Sequence, residues 1–199
     1  MPAKTAKKPL ILASNSPQRR DLLTEGGIAF EVRSSPVCEP THLPAGLSPA
    51  ARAAAVAYFK ARATAQATPE RTVLAADTVV AVGEDVLGKP ADADEARAML
   101  RRLSRVAHRV ITGVALIGPD GRRCIESEMT RVTMRAMSDE QVARYVASGA
   151  WRGKAGGYAV QEADDAFVTR IEGSYSNVVG LPIERVQRML AATGEGCDA

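Results

Sequence analysis

A length of 199 residues exceeds the usual single domain and falls short of two, and 46% hydrophobic with 25% charged residues suits one α/β domain with a sizeable core. Aromatics at 4% are too few for stacking platforms, and an excess of three cations, which Lys4, Lys7 and Lys8 would cover by themselves, argues against a broad nucleic-acid surface and for small anionic ligands. Cys38, Cys124 and Cys197 are odd in number and lack C-x-x-C spacing, which speaks against a disulfide framework or a zinc site, and no apolar run approaches the ~20 residues of a membrane span.

The expectation is a cytoplasmic chain with no membrane partner and no stable nucleic-acid complex. Residues 1–8 read as a flexible basic tail, 9–193 as a single domain and 194–199 as a second tail. Leu10 to Ala13 is a short buried strand that passes through Ser14-Asn15-Ser16 into Pro17, an N-cap followed by proline at the first helical position, and Gly26-Gly27 stops the helix. A second strand follows at Phe30 to Arg33, then a loop over Ser34 to Pro49 with four prolines, then an alanine-rich helix from Ser48-Pro49 to about Gln66 that contains Lys60.

Thr72 to Val82 is a strand, Gly83-Glu84-Asp85 a turn, and Val86-Leu87 a short return strand before Gly88-Lys89-Pro90. Asp92 and Glu95 are spaced as a capping box, and Ala96, Met99, Leu100 and Leu103 keep the spacing of a buried helix face. His108 to Ile117 and Arg122 to Met134 form a hairpin about Gly118-Pro119-Asp120-Gly121. Ser138 to Ser148 is a capped helix with Gln141 in the reciprocal position and Gly149 as its stop; Phe167 to Ile171 is the last strand, and Pro182 opens a closing helix with Ile183, Val186 and Leu190 inward. Hairpins together with βα units imply an α/β fold with a mixed twisted sheet and flanking helices.

Two places invite chemistry. Arg19 and Arg20 lie in the first turn of a helix, where the macrodipole disfavours cations, and an anion docked on the free N–H groups would reverse that cost. The competing reading is that both turn to solvent or pair with Asp21 and Glu25. Asp77 interrupts Val73-Leu74-Ala75-Ala76-Asp77-Thr78-Val79-Val80, where an ionised carboxylate needs a partner or a hard cation such as Mg²⁺ or Mn²⁺. Its competing reading is an aspartate on an exposed face or capping a neighbouring helix. P-loop, dinucleotide-binding, G-x-S-x-G and H-E-x-x-H motifs are absent, and neither His42 nor His108 reads as catalytic.

Three segments in order then resemble the Maf family of nucleotide pyrophosphatases: LILASNSPQRRDLL, VLAADTVV with its following GKP, and KAGGYAVQ followed by GSYSNVVGLP. The resemblance implies two lobes around a deep cleft, a homodimer in many members, and hydrolysis of the α,β phosphoanhydride of a nucleoside triphosphate by water with a divalent cation, Mg²⁺ or Mn²⁺. Carried over by position, Asp77 would be general base or metal ligand and Glu39 would share the metal. Ser14, Arg19, Lys60 and Lys89 would hold the triphosphate.

Gln18, Thr78 and Gln161 fall where branches of that family differ. Thr78 and Gln161 resemble the dTTP/UTP branch, whereas Gln18 stands where that branch usually has arginine, Glu162 replaces a glycine, and Cys38 replaces an acidic residue before Glu39. The alternatives are a 7-methyl-GTP pyrophosphatase, a non-catalytic nucleotide-binding regulator of cell division, and a nucleic-acid binder using the basic tail with Arg19 and Arg20.

Overall fold

The computed structural model describes residues 8–35, 43–160 and 167–193. Its elements are β1 (Leu10–Leu12), α1 (Pro17–Glu25), β2 (Phe30–Val32), α2 (Pro49–Ala67), β3 (Val73–Val82), β4 (Asp85–Leu87), α3 (Ala93–Leu103), β5 (Ala107–Ile117), β6 (Arg123–Met134), α4 (Asp139–Ser148), β7 (Val168–Glu172), α5 (Tyr175–Val179) and α6 (Ile183–Ala192). A 3₁₀ turn, Ala155–Gly157, follows α4. Among the described residues no helix is long and apolar enough to cross a membrane.

The strands form one mixed sheet in the order β2-β1-β3-β5-β6-β7, with β4 also on β3. β2, β1 and β3 are parallel, as βα units require, and the pairs from β3 onward are antiparallel, β3–β4 and β5–β6 as hairpins. The expected mixed sheet is therefore present. β3 is paired with β5 without interruption from Val73 to Ala81, but its other edge is shared: β1 reaches only Leu74, and β4 begins at Val80. From Ala76 to Val79 that edge carries no strand among the described residues. The sheet has a notch there.

Two apolar clusters lie on either side of this notch. Leu10, Leu12, Leu22, Leu23, Leu74, Leu116, Leu181 and Leu190 join β1, α1 and α6 to one half of β3 and β5. Val80, Val110, Leu100, Leu103, Tyr145, Trp151 and Tyr158 join α3 and α4 to the other half. The long strands thus run through both lobes and cross the cleft between them.

α2 packs across β3 and β5 on the opposite face. Its Ala53, Ala57 and Ala61 are fully buried at helical spacing, and Gly113 of β5 meets them: a Cβ at Gly113 would overlap the backbone of Ala53 and Ala54. Small side chains on both surfaces bring the helix axis close to the sheet, directly over Asp77, which is the strand partner of Gly113.

Local signals differ from expectation in several places. Ser16 is at the N-cap of α1, but its hydroxyl donates to Gln18 Oε1 at 3.0 Å instead of accepting from the helix. Asp92 caps α3 by accepting from Glu95 N, yet the Glu95 carboxylate accepts from Ala91 N, so the reciprocal half of the expected capping box is displaced by one residue. The box at Ser138 and Gln141 is complete, and Gly149 ends α4 with φ 74°. The last strand, expected over Phe167 to Ile171, is shifted to Val168–Glu172. α5 had no counterpart in the sequence reading, because five residues are too short to show helical periodicity.

Candidate active site

The notch in the sheet opens into a cleft. Its border comes from the segments that leave the two short strands: Ser14 to Ser16 after β1, and Lys89 after β4. Alternation along β3 sends neighbouring side chains to opposite faces, so Asp77 turns toward α2 and Thr78 toward α1 and α5. Both still border the cleft, because among the described residues no strand covers that edge. A cavity of about 160 Å³ lined by Asp77, Thr78, Val80, Val110, Tyr158 and Gly180 adjoins a basin of about 520 Å³ lined by Ser14, Asn15, Ser35 and Arg152. Gln18, Arg19, Lys60, Lys89 and Lys154 border both.

Asp77 finds the partner that its place in an apolar strand demands. Lys60 Nζ on α2 donates to Asp77 Oδ1 at 2.7 Å, with side chains only 15% and 13% exposed. The Ala–Gly seam between α2 and β5 puts that ammonium within reach. Arg19 is equally fixed: Nε donates to the Gly180 carbonyl at 2.9 Å, Nη1 to Ser14 Oγ at 3.1 Å and Nη2 to Thr78 Oγ1 at 3.2 Å. The other reading of this turn, with Arg19 bent away to solvent, does not occur. Arg20 does face solvent. Thr78 also bonds Thr112 Oγ1 at 2.9 Å, so its hydroxyl is engaged in the cleft wall.

Arg152 and Lys154 also border the cleft, although the sequence reading did not select them. Gly153 and Gly156 adopt φ of 72° and 70°, and Gly156 N donates to Gly88 O at 2.9 Å, which ties this loop to the segment carrying Lys89. Lys154 begins the KAGGYAVQ motif, which is the sequence signal for it; Arg152 has no comparable signal. Tyr158 forms an apolar wall. Its hydroxyl points away to His108 Nε2 at 2.7 Å, and burial pushes its ionisation upward.

The described lining thus holds five cations, Arg19, Lys60, Lys89, Arg152 and Lys154, against one carboxylate, Asp77. With a whole-chain net charge of +3, this is a local concentration of positive potential and suits a polyanion. Among the described residues no three His, Cys, Asp or Glu side chains form a metal cluster. Mg²⁺ and Mn²⁺ do not need one, since one or two carboxylates with phosphate oxygens and water complete their shell. Asp77 fits that donor set. Glu39 and Gln161 lie outside the described residues, as do Cys38 and Glu162.

Residues 9–193 match the family model described as Maf-like protein, and the chain belongs to the Maf family. It is 44% identical over 188 residues to a protein of Pelotomaculum thermopropionicum named dTTP/UTP pyrophosphatase, covering 94% of this chain and 97% of that one. A protein of the same name from Salinibacter ruber is 47% identical over 188 residues, covering 93% and 91%. Among solved structures, a nucleoside-triphosphatase/dITP/XTP pyrophosphatase from Mycobacterium abscessus aligns over 94% of this chain and 97% of its own, with 20% identity and a TM-score of 0.46.

Proposed function

We propose that this chain is a nucleoside triphosphate pyrophosphatase that hydrolyses the α,β phosphoanhydride of dTTP and UTP to the monophosphate and pyrophosphate. The observation that carries the reading is the cleft itself, where five cations surround one ion-paired carboxylate at a break in the sheet. The names of the relatives supply the nucleotide. A triphosphate needs several fixed cations because charge on its oxygens rises as an attacking water arrives, and preorganised donors stabilise that charge without reorganising.

Lys89, Arg19, Lys154 and Arg152 are the groups to hold the phosphate chain, and Lys60 serves both the chain and Asp77. Lys60 occupies Oδ1 of Asp77, which leaves Oδ2 to orient a water or meet a cation. A carboxylate is a weak base toward water, so Asp77 organises water better than it deprotonates it. A divalent cation held by Asp77, with Glu39 in the same reading, would lower the pKa of the attacking water. The apolar wall of Val80, Val110 and Tyr158 suits the face of a base, and Gln161 is the proposed reader of its edge, since an amide both donates and accepts. A homodimer belongs to the same reading and is checked by sedimentation.

The test is pyrophosphate release from dTTP, UTP, dCTP, GTP and 7-methyl-GTP, with and without Mg²⁺ or Mn²⁺. dTTP and UTP should be turned over best; preference for 7-methyl-GTP would overturn the pyrimidine assignment. Asp77→Asn should lower kcat by roughly a hundredfold or more while the folded variant still binds nucleotide. Turnover within about tenfold of the parent would remove Asp77 from the chemistry.

A further inference from the structure

The segment from Gly173 to Gly180 touches the cleft through its last three residues, Val178 to Gly180, and it is bound into the sheet by a row of buried polar groups. Thr78 of β3, Thr112 of β5 and Thr130 of β6 lie on one face of three neighbouring strands, and Thr112, Thr130 and Asn177 are fully buried. Asn177 of α5 inserts its amide among them: Nδ2 donates to Val110 O at 3.1 Å and to Thr130 Oγ1 at 2.9 Å. Thr130 in turn donates to Ser174 O at 3.1 Å, and Thr112 donates to Asn177 O at 3.3 Å. Three hydroxyls in a sheet core exceed what packing requires, and each must find partners there.

Proton counting allows this row two arrangements, and both tie Arg19 to α5. Each threonine hydroxyl has one proton. Either Thr112 donates to Asn177 O at 3.3 Å and Thr78 donates to Thr112 at 2.9 Å, or Thr112 donates to Thr78 and Thr78 donates to Gly180 O at 3.3 Å; in both, Thr78 Oγ1 accepts from Arg19 Nη2 at 3.2 Å. The first runs from Arg19 through Thr78 and Thr112 to the backbone of α5, the second from Thr112 through Thr78 to the carbonyl at its exit.

The same segment returns to Arg19 from the other side, where Gly180 O accepts from Nε. Both ends of the segment require glycine. Gly173 has φ 127°, and a Cβ there would come within 2.9 Å of Thr130 Oγ1; Gly180 has φ 131°. α5 is thus a short plug seated on a threonine row, and its exit carbonyl meets the guanidinium.

We propose that Thr112 and Asn177 are positioning residues for Arg19, setting the angle at which its guanidinium meets the phosphates of the nucleotide. The proposal rests on the nucleotide site put forward above. Neither residue lines the cleft, and Thr112 reaches Arg19 through the hydrogen-bonded row.

A double-mutant cycle separates this from a purely structural tie. Thr112→Val, Thr112→Ser and Arg19→Ala, with the Thr112 changes also made in Arg19→Ala, are titrated calorimetrically with the α,β-imido analogue of dUTP and Mg²⁺, and each is melted. Thr112→Val should weaken binding about five- to tenfold in the parent and leave it unchanged in Arg19→Ala, while Thr112→Ser restores the parent affinity. The same factor in both backgrounds, or no loss in either, overturns the proposal even if Tm falls. Thr112→Ala provides the same comparison should the valine variant not fold. A parent that turns over nucleotide while the cycle is additive loses only the positioning role. A parent that neither binds the analogue nor releases pyrophosphate overturns the nucleotide site and the positioning role with it.

Discussion

His108 sits in β5 with 1% of its surface exposed, and burial lowers its pKa from 6.5 to about 4. The titratable group facing it is Tyr158, whose own ionisation is pushed up, so among the described residues no nearby charge offsets the loss of water. In the unfolded chain the imidazole takes up a proton below about pH 6.5, and in the folded chain only below about 4. Its contribution to stability is therefore complete above pH 6.5, declines as the pH falls toward 4, and is constant below. The decline should amount to roughly 3 kcal/mol, seen as a steeper pH dependence of denaturant unfolding in the parent than in His108→Gln between about pH 7 and 4. Equal slopes would mean that His108 takes up its proton in the fold over the same pH range as in the unfolded chain. Residues of this kind separate what a sequence discloses from what it hides. Asp77 is legible because a carboxylate in an apolar run needs a counterpart, but nothing local says that the counterpart is Lys60. Thr78 is legible as a cleft residue, whereas Thr112, Thr130 and Asn177 look like ordinary strand and loop residues until three strands align them.

At the level of elements, α2 depends most on a single position. Gly113 opposes Asp77 in the sheet and admits the helix backbone of Ala53 and Ala54. Gly113→Ala should push α2 outward, lowering stability by roughly 3 kcal/mol and separating Lys60 from Asp77. Thermal melting reads the first effect. The second appears as a fall in kcat larger than any change in nucleotide affinity, and an unchanged Tm would mean that the seam is looser than described. The alanine stripe of α2 could be read in the sequence, and so could most strands and helices, because their patterning is local. The notch could not be read. It depends on how far β1 and β4 extend along β3, which is set by pairing between distant segments. The capping motifs show the same limit: spacing located the ends of α1 and α3, but the hydroxyl of Ser16 and the carboxylate of Glu95 took other partners.

For the molecule as a whole, charge is more informative by location than by sum. The net excess of three equals the number of lysines in the first eight residues, Lys4, Lys7 and Lys8, yet the cleft alone gathers five cations. KM for dTTP should rise severalfold between about 50 and about 500 mM NaCl. Removing residues 1–7 should leave that dependence unchanged, while Lys89→Ala should flatten it. A dependence that disappears with the tail would place the attraction outside the cleft.

The hydrogen bond from Arg19 to Gly180 spans 161 positions, and Leu10, Leu12, Leu22 and Leu23 share their apolar cluster with Leu181, Val186, Met189 and Leu190. During synthesis, the first strand and helix leave the ribosome long before the segments that cover them. They must wait in a partly folded state with apolar surface exposed, open to chaperones or to aggregation. A transcript cut short before Gly180 would therefore yield a chain that lacks both the lid of its first core and the carbonyl that holds Arg19. Such a fragment would not be a half-active enzyme; quality control would meet it as an unfinished one.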